Sequence, residues 1–359
     1  MSMSISDVLR QAIEQGASDV FIISNRPITL RIEGQFHDIG VDSLMSADTE
    51  AIVKEIYTHA ATRDISALNV DGEDDFSFSI GGLGRFRVNA FMQRNSMAAV
   101  IRVLKFDLPD PTTLDIPDTV LNLAGLSKGL VLVTGAAGSG KSTTLSCIID
   151  RINSEKSGHI IMMEDPIEFI HRHKKCIVTQ REVNSDTRSY AAALRAALRQ
   201  SPDVLLLGEM RDLETIEIAM TAAETGQLIF STLHSMSAAK SIDRIVDVFP
   251  PNQQQQIRVQ LSMVLKAVVS QQLLPSTAGK RVPAFEIMLS NLAIQNMIRE
   301  GKIPQIENAI AAGANTGMTT MDGSLVRLYE NGVISKLDAI THANNRESVQ
   351  ERLDGSAPL

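Results

Sequence analysis

The feature that most restricts how this chain can fold is an eight-residue segment near its middle. Gly135-Ala-Ala-Gly138-Ser-Gly140-Lys141-Ser142 satisfies every fixed position of the pattern G-x-x-x-x-G-K-[ST]. The apolar run Leu130–Thr134 precedes it, and Ser142-Thr143-Thr144-Leu145 opens a helix behind it. A strand, a glycine loop and a helix in that order presuppose an α/β architecture. The glycines let backbone N–H groups turn inward around a phosphate, and the helix N-terminus adds a favourable dipole. Lys141 supplies a point charge for the β- and γ-phosphates, and the Ser142 hydroxyl can reach Mg²⁺. The nucleotide-binding set is therefore Gly135, Gly138, Ser139, Gly140, Lys141, Ser142 and Thr143, with ATP and Mg²⁺ as the expected ligands.

The sequence after the loop has the matching texture. Short apolar runs at His159–Met163, Asp203–Leu207 and Gln227–Ser231 alternate with helical stretches, the pattern of a parallel sheet covered on both faces. Ligands of such sheets bind outside the carboxyl ends of the strands. The first run ends in Glu164-Asp165-Pro166-Ile167-Glu168, the second in Gly208-Glu209-Met-Arg211-Asp212, the third in Thr232-Leu-His234. Phosphoryl transfer to water needs a metal, a group that orients the water, and positive charge on the phosphate oxygens. Glu209 has the position of an acid acting on Mg²⁺. Glu168, Glu164 and Asp165 are candidates for holding the water, and His234 for contacting the γ-phosphate. The competing reading of Glu209 is a cap on the following helix, shared with the Arg211–Asp212 pair.

The flanking regions differ from this core. Asp75–Ile80 and Arg85–Phe91 alternate with period two around Gly81–Gly84, a hairpin signal, and Asp48–His59 has helical spacing. Gly81–Gly84 is not a second phosphate loop, because no helix start follows it. Residues 1–106 thus read as a small α+β domain. Asp107–Asp118 holds Pro109, Pro111 and Pro117 and reads as a linker, since proline fixes φ and removes a donor. Residues 119–290 form the nucleotide-binding domain. Residues 291–359 are mostly helical, with breaks at Gly301, Pro304, Gly313 and Gly332.

Composition excludes several classes. A net charge of −8 argues against a protein that coats nucleic acid. The two cysteines, Cys147 and Cys176, support neither a disulfide framework nor a cysteine-rich zinc site, and fit a reducing, cytoplasmic setting. His171, His173 and Cys176 lie close together, but no fourth ligand is evident and lysines flank them. No uninterrupted apolar run reaches the roughly 18 residues of a membrane span, and the first residues lack the features of a signal peptide.

In combination, the phosphate loop, Glu164-Asp-Pro-Ile-Glu168-Phe, Leu205-Leu-Leu-Gly-Glu209-Met-Arg-Asp212 and Ser231-Thr-Leu-His234 resemble the boxes of the secretion ATPase superfamily of type II secretion, type IV pili and type IV secretion. Lys174–Val183, Ala293-Ile-Gln-Asn-Met-Ile-Arg299-Glu300 and Gly317–Asp322 are similar to its pilus-retraction branch. Gln227 after Thr225-Gly226, and Gln295 and Met297, depart from the usual family residues. The resemblance implies a PAS-like N-terminal domain, a RecA-like core and a homohexameric ring. It further implies that N-terminal arginines close over the nucleotide, and Arg85, Arg87, Arg94 and Arg102 match that region. The expected function is ATP hydrolysis that powers pilus retraction and twitching motility, at the inner face of the cytoplasmic membrane. The expected partners are an inner-membrane platform protein and, indirectly, the pilin fibre, with membrane association through partners only. A secretion, conjugation or pilus-assembly motor is the alternative within the superfamily. A P-loop small-molecule kinase and a non-catalytic nucleotide sensor are the alternatives outside it; the first lacks an inserted lid here, and the second is disfavoured by Lys141, Ser142 and Glu209.

Overall fold

The computed structural model describes residues 4–60, 63–104, 108 and 110–355. The chain divides into two compact units: Met1–Asp107 together with Pro166–Ile170 and Glu182–Arg188, and the remainder from Leu108. Asp107 and Pro109 of the proline-rich segment lie outside the described residues.

In the first unit, α1 (Ile5–Glu14) is started by Ser4, whose side chain accepts the Asp7 N–H, and it buries Ile5, Val8, Leu9 and Ala12. There follow β1 (Asp19–Ile22), β2 (Ile28–Ile32), β3 (Gln35–Ile39), α2 (Ser46–His59), α3 (Ser66–Asp71), β4 (Glu73–Ile80), β5 (Gly84–Gln93) and β6 (Ser96–Leu104). The strands form one six-stranded sheet in the order β3-β2-β1-β6-β5-β4, with antiparallel pairing throughout. The expected hairpin is β4–β5, closed by the Ile80↔Gly84 pair. Its alternation decides the faces: Phe76, Phe86 and Val88 are buried with Ile52, Val53 and Ile56 of α2, while Arg85 and Arg87 point to the other face.

The second unit opens with a short turn, capped by Asp110, and α4 (Asp118–Leu121); Ile116 and Val120 pack into its core. Next come β7 (Gly129–Thr134), α5 (Lys141–Glu155), β8 (Gly158–Glu164), β9 (Cys176–Glu182), α6 (Tyr190–Ala197), β10 (Val204–Leu207), α7 (Leu213–Glu224), β11 (Leu228–Leu233), α8 (Ala238–Asp247), α9 (Pro251–Val264), β12 (Leu265–Pro275) and β13 (Arg281–Leu289). The sheet runs β13-β12-β7-β11-β10-β8-β9. From β12 through β8 the pairings are parallel, and β13 is antiparallel to β12. Leu130 and Leu132 of β7 pack on one face with α7, α8 and α9, whereas Val131 and Val133 pack on the other with α5. Burial on both faces is why β7 and β10 read as unbroken apolar runs.

The sheet is wider than the expected pattern and not parallel to its edge. β12 carries Ser270, Gln271 and Gln272 inside its span, which interrupts the apolar run that a central strand should show. Beyond the sheet stand α10 (Leu292–Arg299), α11 (Ile306–Ala312), α12 (Met321–Glu330), α13 (Lys336–His342) and α14 (Arg346–Gly355). The last three pack Met321, Leu325, Val349 and Leu353 into a small cluster with Leu274 of β12 and Ala284 of β13.

Candidate active site

The phosphate loop is wedged between the start of α5 and the neighbouring strand β12. Gly135 has φ +144°, and a Cβ there would lie 2.3 Å from the Gln271 carbonyl oxygen and 2.6 Å from Ser139 Oγ. Gly140 has φ +91°, and its Cβ would lie 2.8 Å from Gln271 Nε2. The same Gln271 side chain accepts the Thr144 hydroxyl at 2.7 Å. One residue earlier on β12, Ser270 Oγ accepts the Thr134 hydroxyl at 2.9 Å. Glycine at 135 is thus required by a close backbone approach as well as by φ, and glycine at 140 by φ and the Gln271 side chain.

Within the loop, Lys141 Nζ donates to the carbonyl oxygens of Gly135 at 2.9 Å and Ala136 at 2.8 Å. The ammonium is poised at the loop mouth, against acceptors that an anion can replace. Ser139 Oγ is buried and has no hydrogen-bond partner among the described residues. An orphaned hydroxyl just ahead of α5 and the lysine that opens its first turn are donors that a phosphate chain takes. Ser142 and Thr143 stand half-buried on the first turn of α5.

The acids arrive on the same sheet edge because β7, β11, β10 and β8 are parallel neighbours. Glu164 ends β8, and its Oε1 accepts Gln180 Nε2 at 3.2 Å. Glu209 follows β10, and its Oε2 accepts Arg211 Nε at 2.6 Å. β11 runs two residues past the expected end, to Leu233, so His234 leaves the sheet beside Glu209 with Nε2 3.4 Å from the same Oε2. The Gly208 turn is tied to β11: Thr232 Oγ1 donates to the Gly208 carbonyl at 2.5 Å, and Met210 N–H to the Thr232 carbonyl at 3.3 Å. The cap of α7 is Asp212, which accepts both the N–H and the hydroxyl of Thr215 at 2.8 Å. Capping is therefore not the role of Glu209.

Other expected residues lie elsewhere. Asp165 is exposed; Glu168 is exposed too, on the segment that groups with the first unit. In that unit Arg87 holds Asp75 through Nε at 3.0 Å and Nη2 at 2.6 Å, Arg102 Nε meets Asp19 at 3.1 Å, and Arg85 Nη2 meets Glu182 at 2.6 Å. Arg87 and Arg102 face each other across β5 and β6. His173 Nδ1 accepts the Val178 N–H at 3.0 Å, and Cys176 Sγ donates to the Lys156 carbonyl at 3.1 Å. His171 is buried, and burial pushes its imidazole down to about 4. Among the described residues no group of three His, Cys, Asp or Glu is arranged for a metal ion.

Three site residues escaped the sequence reading. Gln271 lies inside β12, level with the carboxyl end of β7, on a strand whose polar residues hide it in the sequence. Gln180 lies in the Lys174–Val183 segment without any sign of its contact. Tyr190 opens α6, and a Cβ on Gly208 would lie 2.6 Å from its hydroxyl oxygen and 3.3 Å from Glu164 Cα. Burial, then the nearby Glu209, Asp165 and Glu164, raise the Tyr190 phenol well above its ordinary value and keep it a hydrogen-bond donor.

Comparison with known proteins places the chain in a family. Residues 1–350 match the family described as type II/IV secretion system protein. The chain is 44% identical over 337 residues to a Pseudomonas aeruginosa type IV pilus retraction ATPase, PilT, covering 94% of this chain and 97% of that one. It is 42% identical over 350 residues to a Neisseria gonorrhoeae twitching motility protein, covering 97% of this chain and 93% of that one. Among solved structures, the pilus retraction motor PilT with bound ADP superposes with a TM-score of 0.90 at 45% identity, covering 97% of this chain and 99% of that chain.

Proposed function

Since the chain belongs to the type II/IV secretion system protein family, we propose that it is an ATP-hydrolysing motor that powers retraction of a type IV pilus. The observation that carries this reading is the meeting of the phosphate loop, Glu164, Glu209 and His234 on one edge of a parallel sheet. Similarity to pilus-retraction proteins over nearly the whole chain supports the choice of work done.

In the proposed reaction, residues Gly135–Thr143 surround the phosphates and Lys141 exchanges its two carbonyl acceptors for phosphate oxygens. Ser142 and Glu209 are the oxygen ligands, direct or through water, that suit Mg²⁺, which when bound neutralises the charge on the phosphates. Glu164 accepts the proton of the attacking water, with Glu168 as the other candidate. The water oxygen bonds to the γ-phosphorus, the bond to the bridging β–γ oxygen breaks, and ADP and phosphate leave. His234 stands against Glu209, where it can report loss of the γ-phosphate to the loop before α8. Arg87 and Arg102 are the N-terminal residues we assign to the nucleotide; guanidinium is suited to phosphate, and each now holds a carboxylate it can release.

The working form is a homohexameric ring at the inner face of the cytoplasmic membrane, associated through a platform protein and acting indirectly on the pilin fibre. No helix among the described residues is long and apolar enough to cross a membrane. The N-terminal domain, residues 1–106, moves against the ATPase domain, residues 119–290, about the proline-rich segment.

Purified protein should release phosphate from ATP, and Lys141→Ala or Glu209→Ala should abolish that release. Wild-type turnover in either variant rejects the site; a phosphorylated metabolite in place of free phosphate identifies a kinase. A deletion strain with excess pili and no surface motility supports retraction, bald cells point to assembly, and lost secretion with intact motility points to a secretion motor.

A further inference from the structure

Glu164 is held by a residue outside the phosphate loop and the acidic boxes. Gln180, on β9, reaches it with Nε2 at 3.2 Å from Glu164 Oε1. The other end of the same carboxamide, Oε1, accepts the backbone N–H of His171 at 2.8 Å. A backbone N–H can only donate, so it settles which end of the amide turns toward His171, and the NH₂ end is left to face Glu164. The anchor is itself buried, with His171 only 5% exposed. The clamp is thus a fixed, oriented donor.

We propose that Gln180 is a positioning residue for ATP hydrolysis: its carboxamide, locked by the His171 N–H, holds the Glu164 carboxylate in the orientation that takes the proton of the attacking water. The proposal rests on the reading of Glu164 as proton acceptor. A neutral donor suits this task. A lysine or arginine at the same place orients a carboxylate equally well, but its charge stabilises the ionised form and makes a poorer base. The amide directs one carboxylate oxygen, Oε1. Around it stand the carboxylates of Asp165 and of Glu209 on the next strand end, the Arg211 guanidinium paired with Glu209, and the Tyr190 phenol packed where a Gly208 side chain would stand. In that acidic setting an unheld carboxylate swings away from its neighbours, and misplacement by about 1 Å costs on the order of 100-fold in rate.

The test is steady-state ATP hydrolysis by the full-length protein, with kcat, KM for ATP, the pH–rate profile and a thermal midpoint for Gln180→Ala, Gln180→Glu, Glu164→Gln and the Gln180→Ala/Glu164→Gln double variant. The expected result is a fall in kcat of about 10- to 100-fold in Gln180→Ala, with KM and the thermal midpoint near wild type. Gln180→Glu should move the ascending limb of the pH–rate profile upward, because a second carboxylate beside Glu164 favours its protonated form. In the double variant the second change should cost nothing beyond Glu164→Gln alone. If Glu164→Gln is inactive while both Gln180 variants keep the wild-type kcat and pH profile, Gln180 has no positioning role. The same conclusion follows if Gln180→Ala lowers kcat only in step with the thermal midpoint, or adds its full loss to Glu164→Gln. If Glu164→Gln itself keeps the wild-type rate, the proton-acceptor reading fails, and the inference with it.

Discussion

His234 Nε2 stands 3.4 Å from Glu209 Oε2, the carboxylate oxygen that also takes Arg211 Nε at 2.6 Å. Strand register brings them together. Leu207 of β10 pairs with Ser231 of β11, so Glu209 and His234 leave adjacent parallel strands on one edge. The histidine expected to face the γ-phosphate thus also touches the acid expected to act on the metal.

His234→Ala should lower kcat for ATP hydrolysis by about 10- to 100-fold while changing KM little, because the phosphate loop is untouched. Arg211→Ala should do far less, since the Arg211 side chain is 69% exposed and exposed ion pairs contribute at most about 1 kcal/mol. Phosphate-release kinetics on the two variants separate the roles; equal losses argue that the whole turn, not the histidine, is what matters.

Gly208→Ala should destabilise the protein by about 1–3 kcal/mol and depress hydrolysis, because the new methyl meets the Tyr190 hydroxyl at 2.6 Å. Tyr190→Phe removes that oxygen. The double variant should recover stability relative to Gly208→Ala alone, a non-additive result that chemical denaturation measures directly. Simple additivity removes the steric explanation.

Gln271→Leu should weaken ADP binding about 10-fold and cost about 1–2 kcal/mol of stability, since it strands the buried Thr144 hydroxyl and frees the phosphate loop from β12. Titration calorimetry and a melting curve test the two effects. Unchanged nucleotide affinity shows that the loop holds its shape without this strand.

Two buried groups give opposing pH dependences. Glu286 on β13 accepts the Ala238 N–H at 2.7 Å, and burial pushes its carboxyl from 4.5 up to about 7. The folded state therefore keeps a proton that the unfolded chain loses, and this contribution is present below about pH 4.5 and lost as pH rises to 7. His171 is the reverse: its imidazole falls from 6.5 to about 4, so its contribution is present above pH 6.5 and lost as pH drops toward 4. In wild type the slopes partly cancel. Glu286→Gln should leave stability rising with pH between about 4 and 6.5, and His171→Leu should leave it falling between about 4.5 and 7. Urea unfolding at several pH values tests both; parallel curves for the two variants exclude the assignment.

What could be read ahead of the structure follows from which signals are local. The loop Gly135–Ser142 announces itself because phosphate binding needs a contiguous run of residues with special backbone freedom. β7 and β10 announce themselves because burial on both faces leaves no polar residue to blur them. The β4–β5 hairpin shows in the alternation of Phe76, Phe78, Phe86 and Val88 with polar neighbours. β12 did not show, because its polar residues Ser270 and Gln271 are satisfied by Thr134 and Thr144, more than a hundred positions away in the chain.

The sequence by itself therefore determined the nucleotide loop, the parallel core and the acids at the strand ends, each a property of a short stretch of chain. Only the tertiary structure decided how those acids are held: Gln180 on Glu164, His234 and Arg211 on Glu209, the Tyr190 hydroxyl in the space left by Gly208, and Gln271 on the loop. These are contacts between side chains on different strands and helices. Hydrogen-bond reach of about 3 Å is set by sheet register and packing, which depend on the whole sheet at once and leave no mark in the spacing of any one segment.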